Sequence, residues 1–198
     1  MEKNNFIKSY LNKIDKIGKK IDIYSIVRIL KVLEDKLKKG KTIFIAGNGG
    51  SASTASHLVC DLGKTVLGKD LSTPRKRFRV ICLSDNISLL TALANDVSYK
   101  VVFSESLKNL GKKGDLLLVI TGSGNSENIL EVVRTAKKME INTIALLGFD
   151  GGKVKRIVDN YILVQSDEYG PIEDFHMIFT HLITDYFKNE NEKKSCIS

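Results

Sequence analysis

The stretch Ala46–Asp61, AGNGGSASTASHLVCD, runs from a glycine-rich segment into a histidine and an aspartate four residues apart. On a helix, positions i and i+4 share a face, so His57 and Asp61 stand where they could hold one metal ion or one substrate between them. The pattern is not that of a zinc protease, whose H-E-x-x-H supplies two histidines and a base. A surface His/Asp pair with no ligand has the same spacing. The other two histidines, His176 and His181, fall with Glu173 in IEDFHMIFTH, where all three interrupt an otherwise apolar pattern. A polar group in such a setting must find a partner, so each is either a satisfied core residue or part of a site. All the histidines of the chain lie in these two segments, which favours a functional reading.

Two loops have the composition to hold an anion. Gly47-Asn48-Gly49-Gly50-Ser51 follows the apolar run Thr42–Ile45, and Thr121-Gly122-Ser123-Gly124-Asn125-Ser126 follows Asp115–Ile120. Glycines admit an oxyanion close to backbone N–H groups, serine hydroxyls add donors, and a following helix contributes its positive end. Together the loops read as a phosphate clamp involving Ser51, Ser123 and Ser126. Taken singly, either could be a plain turn with a serine cap. Gly47, Gly49 and Ala52 also satisfy a dinucleotide fingerprint, with Asp85 beyond the second strand as its acidic residue. No lysine of the nucleoside triphosphate type follows either loop.

These groups need a scaffold, and the apolar pattern supplies one. Short apolar runs near 42–46, 78–83, 115–120, 143–147 and 161–164 alternate with helical stretches, which predicts a five-stranded parallel sheet covered on both faces, an α/β three-layer, flavodoxin-like fold. Stripes at Phe6, Ile7, Tyr10, Leu11, Ile14 and Ile17, then at Ile26, Ile29, Leu30, Leu33 and Leu37, predict an N-terminal helical hairpin over 1–40, closed by Gly40. A last helix from about Ile172 to Phe187 is apolar around much of its girth, which implies deep burial or sharing with another subunit. The polar tail 188–198 is expected to fray, and the whole chain reads as one domain.

Composition sets the remaining bounds. No apolar run is long enough for a membrane span and the N-terminus lacks a signal-peptide core, so a cytoplasmic protein is expected. Cys60, Cys82 and Cys196 are too few and too scattered for a disulfide framework; the first two sit in apolar patterns and read as packing residues. The net charge of +8 and the cluster Arg75–Arg79 (RKRFR) would suit nucleic acid, but the lysines alternate with acids along helical faces. The cluster therefore reads as a solvated loop leading into a strand.

In this order, GNGGSASTASHLVCD, LANDV, TGSGNSENI and IEDFHMIFTH resemble the sugar isomerase (SIS) family, specifically the phosphoheptose isomerases, over nearly the whole chain. The resemblance implies a homotetramer with active sites at subunit contacts, bound zinc, and conversion of sedoheptulose 7-phosphate to D-glycero-D-manno-heptose 7-phosphate. It assigns substrate binding to Asn48, Gly49 and Gly50, to the pair Asn95 and Asp96, and to a phosphate segment at Thr121, Gly122, Ser123 and Ser126, where Gly122 lacks the family's hydroxyl. It assigns the metal to His57, Asp61, Glu173 and His181. Asp61 stands where the family has a glutamate that is both ligand and base, and Glu173 where it has a glutamine. Lys64 and Pro171 replace family arginines. Zinc with both carboxylates and both histidines would be a neutral, weaker electrophile than the family's net +1 site.

Aldose–ketose isomerisation through an enediol needs a base and a second acid–base group, here Asp61 and His181, and no redox cofactor. Glu173 and His181 are eight residues apart, about 12 Å along a helix, too far for one metal. Either Glu173 precedes the helix proper or the site is completed by a neighbouring subunit. The changes at Asp61, Gly122, Pro171 and Glu173 also admit another sugar phosphate as substrate, and the fold admits a non-catalytic tetramer that binds a protein partner.

Overall fold

The computed structural model describes residues 2–69, 71–72 and 75–195. Its order is α1 (Lys3–Gly18), α2 (Ile23–Lys39), β1 (Thr42–Gly47), α3 (Gly50–Gly63), β2 (Arg79–Cys82), α4 (Ile87–Asp96), α5 (Val102–Leu110), β3 (Leu116–Thr121), α6 (Glu127–Lys138), β4 (Asn142–Gly148), β5 (Asn160–Val164) and α7 (Tyr169–Ser195), with short 3-10 turns between some of them. The five strands pair in parallel in the order β2-β1-β3-β4-β5, and the expected α/β sheet is borne out.

The central strands are apolar throughout because both faces are covered. Alternate residues go to opposite cores. Ile43, Ile45, Leu116, Leu118, Ile120, Ile144 and Leu146 meet α2, α3 and α7 on one face. Phe44, Ala46, Leu117, Val119, Ala145 and Leu147 meet α5 and α6 on the other. The expected hairpin forms. Asp22 caps α2 by accepting from the Tyr24 N–H at 2.9 Å, and Gly40 ends it with φ 62°, a left-handed conformation that costs glycine little. Its two helices are not equal: Ile29 and Leu33 of α2 are fully buried, whereas α1 buries little besides Ile17.

The amino edge of the sheet is tied by charged groups. The Asp115 carboxylate accepts the Thr42 and Lys112 N–H groups, each at 2.9 Å. Buried Lys36 donates to the Gly114 carbonyl at 2.8 Å and to the Asn142 side chain at 2.5 Å. The basic cluster leads into β2 as expected, and it also makes contacts: Phe78 packs on Phe187, Arg75 donates to the Leu67 carbonyl, and Lys76 donates to the Lys38 carbonyl.

Two expectations need correction. Cys60 is exposed, because it faces outward from α3; Cys82 is buried and burial pushes its thiol up to about 11, while Cys196 lies outside the described residues. The last helix starts at Tyr169 and continues to Ser195, so 188–195 are helical, with residues 196–198 outside the described set. The helical stretch between β2 and β3 consists of two helices, α4 and α5. No helix among the described residues is long and apolar enough to cross a membrane.

His176 on α7 belongs to the core: it is 1% exposed and neither ring nitrogen makes a well-formed hydrogen bond. Burial lowers its pKa from 6.5 to about 4, the Leu147 carbonyl offsetting only part of that. The unfolded chain therefore binds the extra proton between these values, and stability falls as pH drops from 6.5 to 4, by up to about 3 kcal/mol. Melting temperature against pH should show this fall and a shallower one for His176→Leu; parallel profiles would mean the histidine charges without penalty. Leu33→Ala should cost about 2–5 kcal/mol in urea unfolding, since it opens a cavity under α2. A loss below about 1 kcal/mol would show that the second helix of the hairpin is not part of the core.

Candidate active site

The strand order reverses between β1 and β3, and in such sheets ligands bind in the crevice at the carboxyl ends of the strands on either side of that reversal. Both glycine loops lie there. Gly49 is the residue before α3 and has φ 55°, ψ −124°, a region that side chains rarely allow, so the turn into the helix requires glycine. Gly124 has φ 62°, and a Cβ on it would stand 2.1 Å from the Gly151 carbonyl oxygen. That close approach locks the β3–α6 loop to the β4–β5 connection, aided by Val154 N–H donating to the Gly124 carbonyl at 3.0 Å and Lys153 N–H to the Asn125 side chain at 3.1 Å.

The serines are not spent as caps. Ser51 lies inside α3, after its first residue Gly50, and Ser126 occupies the cap position of α6 without making the capping hydrogen bond. Thr121 is buried and accepts from the Gly124 N–H at 3.3 Å; Ser123 accepts from the Asn125 N–H at 3.3 Å.

The two loops differ in what faces them. Asn48 and Asn128 exchange a reciprocal pair of amide hydrogen bonds, both 2.9 Å, and the Tyr99 hydroxyl donates to Asn48 at 3.0 Å. The Glu173 carboxylate stands 3.2–3.3 Å from the point where a Gly50 Cβ would be. The start of α3 therefore already faces an anionic side chain, an arrangement that disfavours the pyrophosphate of a dinucleotide there. Asn95 and Asp96 end α4, with the Asn95 amide donating to Asp96 at 2.8 Å. They are exposed, and Tyr99 just beyond them links this segment to the first loop.

Further along α3, His57, Asp61 and His181 converge. The Nε2 atoms of His57 and His181 are 3.0 Å apart, and His57 Nε2 is 3.5 Å from Asp61 Oδ2. The three offer ligand atoms all within 4.8 Å of one another, the one such group among the described residues. Asp61 is buried and His57 and His181 are exposed, so the cluster opens to one side. Thr184 donates to Asp61 Oδ2 at 3.1 Å and orients the carboxylate.

Glu173 is not in this group. It lies inside α7, not before it, and is separated from His181 by about 12 Å of helix. Within one chain the cluster thus carries one carboxylate and two imidazoles. Sequence reading missed Tyr99, Asn128 and Thr184. Thr184 was within reach, since it follows His181 by three residues and must share its helical face. Nothing in the sequence pairs Asn48 with Asn128.

Residues 5–148 match the SIS domain family. A phosphoheptose isomerase of Helicobacter pylori is 40% identical over 162 residues, 81% of this chain and 79% of its own length. One from Aliarcobacter butzleri is 35% identical over 190 residues, 95% of this chain and 98% of its own. The solved phosphoheptose isomerase of Francisella tularensis superposes with a TM-score of 0.86 at 28% identity, covering 96% of this chain and all of its own. Such identity over nearly the full length, on the same fold, establishes that the chain belongs to the SIS domain family, among the phosphoheptose isomerases.

Proposed function

We propose that this chain is a cytoplasmic isomerase that interconverts sedoheptulose 7-phosphate and D-glycero-D-manno-heptose 7-phosphate through an enediol. The observation that carries this reading is the convergence of His57, Asp61 and His181 from two helices. A tetramer serving solely to bind a protein partner has no need of it.

Zinc fits the donor set. Two ligands at about 2.0–2.1 Å on a tetrahedral ion lie about 3.3 Å apart, close to the 3.0 and 3.5 Å found here. With one carboxylate and two neutral imidazoles such a site keeps a net charge of +1, which relieves the neutrality expected had Glu173 joined it. When bound, the ion would polarise the oxygens on the two carbons that exchange the proton.

The protein's own groups do the rest. Both contacts of Asp61 fall on Oδ2, which leaves Oδ1 to accept the proton. His181, its Nε2 turned to His57, serves as the second acid–base group through its other ring nitrogen. Thr121, Gly122, Ser123 and Ser126 hold the phosphate at the start of α6, with Ser51 in the first turn of α3. Asn48, Gly49, Gly50, Asn95, Asp96 and Glu173 read the sugar. His57 lies about 10 Å along α3 from Gly50, so the chemistry sits about two turns from the loops, and a sugar phosphorylated at the end remote from its carbonyl spans that gap. Anchoring the phosphate there orients the reacting carbons.

Assembly completes the site. Phe6, Ile7 and Leu11 on α1, and Ile178 and Leu182 on α7, are exposed apolar side chains that a homotetramer would cover. Glu173 then reaches a metal only in a neighbouring subunit.

Proton NMR in deuterium oxide with zinc and a panel of ketose phosphates should show deuterium entering carbon 1 or 2 of the heptulose phosphate. Asp61→Asn should lower turnover by about 10²–10⁴-fold while phosphate-ligand binding stays close to wild type; equal loss of both would remove Asp61 as the base. Leu11→Glu combined with Phe6→Glu should dissociate the assembly in sedimentation velocity, with turnover per chain falling alongside. A monomer of full activity would sink the interfacial site.

A further inference from the structure

The sequence of the anion loop has a gap at Gly122, and the structure fills it from elsewhere. A Cβ at Gly122 would stand 3.0 Å from Cε1 and 3.1 Å from Cδ1 of Tyr169, and 3.8 Å from Ile172 Cγ2. Glycine at this position admits the long edge of an aromatic ring, the edge that leads to the phenol hydroxyl.

That ring is placed by one aromatic contact and by the packing of the helix that carries it. It meets Phe149 edge to face, with centroids 4.9 Å apart and planes at 74°. One helical turn on, fully buried Ile172 packs against Gly148, where a Cβ would be 2.5 Å away, and side chains at i and i+3 share a face. The first turns of α7 are braced from α1 by Lys13 pairing with Glu168 and by the Tyr10 hydroxyl donating to Asp174 at 2.5 Å. Tyr169 is nonetheless 57% exposed. Its own hydroxyl makes no hydrogen bond to any described residue. An aromatic body fixed by packing with its polar tip left open to solvent is the arrangement tyrosine adopts at recognition surfaces.

We propose that Tyr169 is a ligand-contacting residue of the β3–α6 loop, its ring walling the loop at Gly122 and its hydroxyl donating to the anion bound there. The proposal rests on the reading of that loop as the phosphate site. It makes Gly122 and Tyr169 a coupled pair: the side chain missing from the loop is replaced by one that enters from α7. The phosphate end of the substrate is thereby recognised by two elements, β3–α6 and the start of α7, the helix that further along also carries His181.

The probe is inorganic phosphate, titrated by isothermal calorimetry or phosphorus NMR. Tyr169→Phe keeps the ring and its packing, so its melting temperature should match wild type while phosphate binding weakens about tenfold, the loss of one hydrogen bond to a charged group. Gly122→Ser should also weaken binding, by displacing the ring, and the same substitution in a Tyr169→Ala chain should produce no further loss. Wild-type affinity in Tyr169→Phe would overturn the role of the hydroxyl while leaving the loop as the phosphate site. Failure of wild-type protein to bind phosphate would instead remove the loop reading, and the proposal with it.

Discussion

The site depends on α3 and α7 lying side by side and parallel. Glu173 stands at Gly50, His181 at His57 and Thr184 at Asp61, so the two helices hold a constant register over three turns. What fixes that register is the apolar face beneath: Ala55, Leu58 and Leu62 of α3 share one core with Ile172, Phe175, Phe179, Ile183 and Phe187 of α7. Because close-packed side chains leave no freedom to slide, polar groups on the outer sides of both helices are delivered to fixed partners. A shift of one residue would rotate His181 about 100° away from His57.

The two edges of the sheet divide the work. At the amino edge, Asp115 and Lys36 satisfy backbone and side-chain partners and tie α2, β1, β3 and β4 together. At the carboxyl edge, the glycine loops leave helix ends and serine hydroxyls unspent. Order at one edge permits open polar groups at the other, since strand positions are already determined before the ligand arrives. The β4–β5 connection contributes by bonding to the β3–α6 loop through Gly124 and Asn125, so that loop is preshaped.

Charge is distributed with similar economy. Placing the Glu173 carboxylate at the start of α3 opposes the positive end of that helix, whose own first turn carries no acidic residue, whereas α6 has Glu127 in its first turn. The two loops look alike in composition. Their difference comes from a residue more than a hundred positions away that packs beside one and not the other.

The strands, the hairpin and the face shared by His57 and Asp61 were legible in the sequence because each rests on local periodicity, two residues per repeat in strands and 3.6 in helices. The glycine loops were legible for the same reason, since backbone conformation at a turn is a property of the residues in it. The meeting of His57 with His181, the separation of Glu173 from both, the amide pair of Asn48 and Asn128, and the ring of Tyr169 in the space beside Gly122 were decided by tertiary structure. Each joins segments that no local pattern relates. Their distances follow from how two helices and a sheet pack as solids, and that packing sums many small contacts in which no single residue carries the signal.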